Sequence, residues 1–325
     1  MRPPRPLRHV AERLSDSVRA RVTRATLSMF DHAPYPLEHT LDYPGDPGLV
    51  GPDSVSWRLI ADPAAFVGGL RALLLQAAHP EVVAGVDQHS RYRDDPLGRL
   101  SRTSAYVTAT TFGAGPEVDE AIRQVRRAHA LVTGVSSRGI RYDAADPGQS
   151  AWVHNALTDS FLTTNQRYSN FPLTIVESDH FVVEQNRIGR LLGADPLPAS
   201  ALGLRDWVIG HPEIAPSPEM EQIVDFLSAP PISAAIKPGY SLLFEAALVT
   251  LPESMRQILG LEPRPAADVL GKAAVNSLRW ALGYSPSWAL ALRRSGREIP
   301  SGLFRRLPEG VLKPVSREAS TLRAE

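Results

Sequence analysis

RLSRTSAYVTATTFGAGPEVDEAIRQVRRAHALVTG, residues 99–134, is the stretch on which the reading of this chain turns. It reads as two helices joined by a Gly-Pro turn. Asp95-Pro96 opens the first helix, with an N-cap carboxylate followed by Pro at the first helical position. Gly113, Gly115 and Pro116 break it. The second helix starts near Pro116 with Glu117, Asp119 and Glu120, and carries Arg123, Arg126 and Arg127 towards its end. That charge order suits the helix dipole. Gly134 is the expected C-terminal stop. Val118, Ile122, Val125, His129 and Val132 fall at steps of four, three, four and three, forming one apolar stripe with His129 inside it. An imidazole on a core-facing stripe needs a partner, either a hydrogen bond within the core or a metal. On the first helix Arg99, Thr103, Tyr106 and Thr110 share a face, and Arg99 and Thr103 stand one turn apart.

Further blocks occur in a fixed order around this stretch. Leu75-Gln76-Ala77-Ala78-His79-Pro80 is followed by Asp95-Pro96-x-x-Arg99-Leu100-x-Arg102-Thr103 and by Arg126-Arg127-Ala128-His129-Ala130-x-Val132-x-Gly134. Tyr142-x-Ala144-x-Asp146-Pro147 and Trp152-Val153-His154-x-Ala156-Leu157 complete the set. Over roughly Pro44 to Gly283 the chain resembles the rubber-oxygenase (latex-clearing protein) and mpaB-type oxygenase family. The resemblance implies an all-α single domain with a globin-like helical core around a haem pocket. It implies haem b (iron protoporphyrin IX), held through iron by one axial His in the Arg-x-x-His-Ala helix, with an Arg-x-x-x-Thr pair nearby. Placed by motif, these are His129, Arg99 and Thr103. Arg102 falls where rubber-cleaving members can place a distal Lys, and is carried as a further catalytic candidate. The resemblance also implies dioxygen and a hydrophobic substrate, a small molecule or polymer of isoprenoid or alkenyl character. A general base is expected upstream, in the region of Glu81 and Asp87.

Two more histidines are candidates for a haem contact. His79 ends an apolar helix that Asp62-Pro63 starts, since a residue before Pro avoids the α region. A contact with a helix dipole explains that position as well. His154 lies among apolar neighbours on the helix opened by Asp146-Pro147, where a supporting hydrogen bond is the alternative role.

Composition sets the outer bounds. The chain has 325 residues, 43% of them hydrophobic, which supports a large core. Lys+Arg 35 balances Asp+Glu 35, so no global basic field points to nucleic acid. With Cys 0, disulfides, zinc-thiolate sites, iron–sulfur clusters and a thiolate haem ligand are all excluded. The basic, Pro-rich start lacks the apolar core of a signal peptide, and no membrane-spanning run is evident, so a cytoplasmic location is expected. Organisation is read as a Pro/Arg-rich arm over 1–55, a helical catalytic domain over 56–290 and a charged tail over 291–325.

The remaining helices follow from their caps. Thr174-x-x-Glu177 is a capping box for a helix ending at Gly193. Ser217-Pro218 starts another, Tyr240 to Val249 and Glu253 to Leu259 are two more, and Ala266 to Leu282 is the last long one. About nine helices are expected in all. Glu177-x-x-His180 is the pairing used by di-iron carboxylate bundles, which require two such pairs. Only one is found, so a non-haem iron protein is the runner-up reading. A non-enzymatic lipid or haem carrier is the third, and it gives no reason for His129 behind its arginines.

Overall fold

The computed structural model describes residues 5–283 and 285–298, with side chains from residue 15 onwards. The helices in chain order are α1 (Arg5–Ser28), α2 (Val55–Ile60), α3 (Ala64–Ala77), α4 (Pro80–His89), α5 (Pro96–Phe112), α6 (Gly115–His129) and α7 (Pro147–Tyr168). They continue with α8 (Ile175–Leu192), α9 (Ala201–Ile209), α10 (Pro218–Ser228), α11 (Lys237–Thr250), α12 (Glu253–Leu259), α13 (Ala267–Leu282) and α14 (Pro286–Arg294). Among the described residues the only sheet is an antiparallel pair, β1 (Thr133–Val135) and β2 (Arg141–Asp143), with Gly134 opposite Tyr142. The protein is all-α and forms one domain.

Start signals act where the sequence places them. The Asp95 carboxylate accepts from the Gly98 N–H at 3.0 Å, Asp146 from Gln149 at 3.0 Å, and Ser217 from Met220 at 3.1 Å. Thr174 and Glu177 cap one another reciprocally, and Gly193 closes α8 with φ +78°, a left-handed conformation that a side chain resists.

The core is organised about α3 and α7, which pack along each other. A Cβ on Gly68 would sit 2.6 Å from a ring carbon of Phe161, so Gly68 sets how closely the two helices approach. Between them Arg71 and Asp159 form a buried ion pair at 2.7 Å. The Arg71 guanidinium also donates to the Ser160 hydroxyl at 2.9 Å and to the Thr250 carbonyl at 3.2 Å, so its charge is fully engaged. Trp152, Ala156, Leu74 and Leu75 fill the same interface. The pair α11 and α13 covers α3, and α1 lies on α13 through Thr23, whose hydroxyl donates to the Ala281 carbonyl at 3.1 Å.

Three expectations change at the element level. The described residues form fourteen α-helices rather than nine, because several short capped segments become helices in their own right. Gly134, expected as the stop of the second helix, lies instead in β1 of a hairpin, because the helix ends at His129. Leu37 and Thr40, within the expected arm, are buried against α14. There Arg294 donates to Thr40 Oγ1 at 2.6 Å and to the Phe112 carbonyl at 2.7 Å, so the chain is ordered into the stretch read as a loose tail; residues 299–325 lie outside the described residues.

Candidate active site

The hairpin of α5 and α6 turns at Gly113 and Gly115. Arg99 lies fourteen residues before Gly113, and His129 fourteen after Gly115. At ~1.5 Å rise per residue each therefore stands roughly 21 Å along its own helix from the turn, towards the end remote from it. Near the turn the pair is closed by Val118 and Ile122 of α6 packing on Ile188 of α8. Towards the remote end Val125, His129 and Val132 are only half-buried.

Arg99 reaches back to the end of α4, where its guanidinium donates to the Ser90 hydroxyl at 2.8 Å. No carboxylate pairs with it among the described residues. Burial, and then the charge of Arg102, hold its pKa below the usual guanidinium range. A desolvated cation without an anion is an incomplete arrangement. Arg102 is exposed instead and is paired with Asp95 at 3.1 Å, turned away from Arg99's surroundings. Thr103 is exposed too, and its hydroxyl donates to the Arg99 carbonyl at 3.1 Å, a local helix contact.

His129 is the last residue of α6, not its middle. The apolar stripe runs on to Val132 in sequence, but the backbone leaves the helix after His129 so that Thr133 to Val135 can pair as β1. No side chain among the described residues hydrogen-bonds its ring. Burial pushes its pKa down, and a backbone hydrogen bond at Ala144 acts in the other direction. Burial therefore favours the neutral imidazole.

His154 sits on α7, buried, with burial lowering its pKa to about 4. It lines a void of about 10 Å³ with Tyr106, Thr110 and Val107 of α5, Leu157 and Phe161 of α7, and Gln185 and Ile188 of α8. That volume is at the limit for one water. A Cβ on Gly189 would lie 2.9 Å from His154 Cδ2, so Gly189 makes the room the imidazole occupies. The Tyr106 hydroxyl has no hydrogen-bond partner among the described residues, and burial raises its pKa. α5 meets α7 around this void rather than along its length. Val86 of α4, Val107 of α5 and Val153 and Leu157 of α7 are half-buried against the main core, while most of the rest of α7 is covered.

His79 belongs to a different place. It is the N-cap of α4, where Nδ1 accepts from the Val82 N–H at 3.4 Å and Nε2 stands 3.0 Å from Oε2 of Glu213. Its ring packs on Trp152 and on His211, with centroids 5.7 and 5.5 Å apart. Trp152 and His154 are two residues apart on α7, so they face different sides of it, and His79 does not join the His129 end of the hairpin. The upstream acids are also occupied: Glu81 is buried against Arg138 at 2.7 Å, and Asp87 accepts from Tyr92 at 2.9 Å. Glu177 is held by Arg58 and by its cap on Thr174, which lower its pKa to about 2, while His180 is exposed. That pair therefore builds no di-iron site. The three-residue cluster of metal-ligating type among the described residues is His79, His211 and Glu213, which no spacing in the sequence announces.

The sequence profile for the catalytic domain of "ER-bound oxygenase mpaB/B'/Rubber oxygenase" matches residues 57–281. The chain belongs to the mpaB/rubber-oxygenase family. No curated protein and no solved structure matches it. The mpaB/rubber-oxygenase match runs from Trp57 in α2 to Ala281 in α13, so it contains the α5–α6 hairpin, α7 and the His79 cluster; α1 and α14 lie outside it. Membership makes the chain an oxidoreductase of the oxygenase class, taking dioxygen and a substrate. No helix among the described residues is long and apolar enough to cross a membrane.

Proposed function

We propose that the chain is a haem b-dependent oxygenase of a hydrophobic substrate, with His129 as the axial ligand. What supports this reading is that the turn-distal parts of α5 and α6 each carry an incomplete group among the described residues. His129 offers a neutral ring without a side-chain partner, and Arg99 offers a guanidinium without an anion. Haem b has the complementary features, an iron that takes an imidazole nitrogen and propionates that take a guanidinium.

The donor set fits the group in its chemistry. A neutral imidazole binds a metal through one nitrogen while the other donates to a carbonyl that fixes its tautomer and orientation. The Ala144 backbone, whose hydrogen bond favours the charged ring, would be the candidate acceptor. Arg99 would hold a propionate through charge-assisted hydrogen bonds, with Ser90 steadying the guanidinium from behind. Thr103 would be a secondary contact on the same face, its hydroxyl free to leave the Arg99 carbonyl. Haem iron with a single imidazole ligand supplies an open position for the activation of dioxygen.

The other residues shape the surroundings. Val86, Val107, Val153 and Leu157 would present an apolar wall that excludes water and suits an alkenyl or isoprenoid chain. His154 stays neutral near pH 7 and would keep the interior behind that wall uncharged. Arg102 is assigned no more than a surface ion pair. Titration of the purified full-length protein with haemin tests the reading. It predicts a Soret band that saturates at about one haem per chain, whereas a folded protein that stays colourless would refute it.

A further inference from the structure

We propose that His79, His211 and Glu213 form a binding site for a divalent transition-metal ion. The site is separate from the haem reading and does not rest on it. One ligand atom from each of the three residues lies within 4.8 Å of the other two. Donors on a tetrahedral ion at ~2.0–2.2 Å stand roughly 3.4 Å apart. His79 Nε2 and Glu213 Oε2 are already closer than that, at 3.0 Å, so the remaining adjustment falls on His211. Two imidazoles and one carboxylate, with no thiolate, suit Zn²⁺, Co²⁺, Ni²⁺ or Fe²⁺ better than the oxygen-seeking Mg²⁺ or Ca²⁺.

The three residues are held in place before any ion arrives. His79 is 1% exposed and fixed between Val82 and Trp152. His211 is clamped by Trp152 and Trp207, with ring centroids 4.8 and 4.7 Å away. Their loop is pinned to the α3–α4 corner by the Ala215 N–H donating to the Ala78 carbonyl at 3.1 Å. Glu213 is exposed, which gives an ion an entry path and leaves a coordination position open to water. The buried Trp152 Nε1 has no hydrogen-bond partner among the described residues, and water on an ion is an acceptor of the kind it lacks.

The proton inventory is consistent. Without an ion, Nε2 of neutral His79 carries the hydrogen that faces Glu213, because Nδ1 accepts from Val82. An ion at Nε2 takes the place of that hydrogen, and the ring stays neutral by carrying its proton on Nδ1. There it faces Oε2 of Glu81, 3.7 Å away. Glu81 is held in turn by Arg138 and by the Ser136 hydroxyl at 3.0 Å. Metal binding would therefore release the Val82 N–H from Nδ1 and draw the ring towards Glu81, completing a carboxylate–histidine–metal chain with Glu81 as the positioning residue.

The test is metal content by plasma mass spectrometry after dialysis of untagged, chelator-stripped, full-length protein against micromolar Zn²⁺. About one Zn²⁺ per chain is expected, in haem-loaded and haem-free preparations alike. His211→Ala and Glu213→Gln, both on the accessible loop, are expected to lose it while keeping their circular dichroism. His129→Ala and His180→Ala are expected to keep it. Glu81→Gln should weaken binding ~10–100-fold without abolishing it. Zn²⁺ should raise the melting temperature of the unmodified chain and not that of His211→Ala. Failure of the unmodified chain to bind, or an unchanged stoichiometry in His211→Ala, would overturn the site and leave the haem reading untouched.

Discussion

Replacing His154 by Leu should make the protein less sensitive to acid. In the fold the imidazole is buried and its pKa is depressed to about 4 from an ordinary 6.5, with desolvation as the cause. Above the ordinary value both folded and unfolded chains carry a neutral ring, and the group contributes no pH dependence. Between the two values the unfolded chain binds a proton that the folded chain refuses, so stability falls as pH falls through that window. Below about pH 4 the folded ring also protonates and the loss levels off. A displacement of 2.5 units, 6.5 minus 4, corresponds to ~3 kcal/mol in full. Roughly 2.5 kcal/mol of it appears between about pH 7.5 and about pH 4.5. The substitution keeps the local backbone contact, because the Thr158 hydroxyl donates to the residue 154 carbonyl at 2.9 Å, while its approach to Nε2 is a long 3.5 Å. Urea unfolding at a series of pH values provides the assay. The unmodified protein should lose ~2–3 kcal/mol more than His154→Leu over that range. Parallel stability curves for the two proteins would show that the imidazole is not buried neutral, and the packing of α5, α7 and α8 around it would be refuted.

Asp159→Ala should cost ~3–5 kcal/mol by leaving the Arg71 guanidinium buried without its carboxylate, measured by denaturant unfolding; a loss under ~1 kcal/mol would mean that the pair is solvated. Gly271→Ala should destabilise by ~1–3 kcal/mol, because its Cβ would sit 2.6 Å from the Ala246 Cβ where α13 crosses α11, and an unchanged melting temperature would contradict that close approach. Arg99→Ala should release haem at least ~10-fold faster than Arg127→Ala, read from transfer to a haem acceptor, since Arg127 is exposed on α6 and Arg99 is the desolvated cation. Equal release rates would remove Arg99 from the haem site.

Helix starts were legible in the sequence because each is set by chemistry within four residues. Asp95-Pro96, Asp146-Pro147, Ser217-Pro218 and Thr174-x-x-Glu177 all cap the helices that follow them. The end of α6 was not legible. Its apolar period continues past His129, and three-residue strands are too short for their alternation to show against it. Arg99 and His129 were singled out by their blocks and their faces, and the proposal rests on them for that reason. Arg102 and Thr103 stand on the same helix but turn to solvent, and a shared motif does not decide which side a residue faces. The His79 cluster escaped because its members come from the α3–α4 corner and a loop more than a hundred residues later. The packing of α9 against α7 and the Ala215–Ala78 backbone bond bring them together.

The central claim is that His129 is the iron ligand. The direct test is the visible absorption spectrum of haem-loaded protein beside its His129→Ala, His154→Ala and His79→Ala variants, with circular dichroism recorded on each. The account predicts that only His129→Ala loses the axial-imidazole signature while staying helical, and that added imidazole partly restores it by entering the vacated space. A His129→Ala protein that keeps the signature, while His154→Ala or His79→Ala loses it, would contradict the assignment.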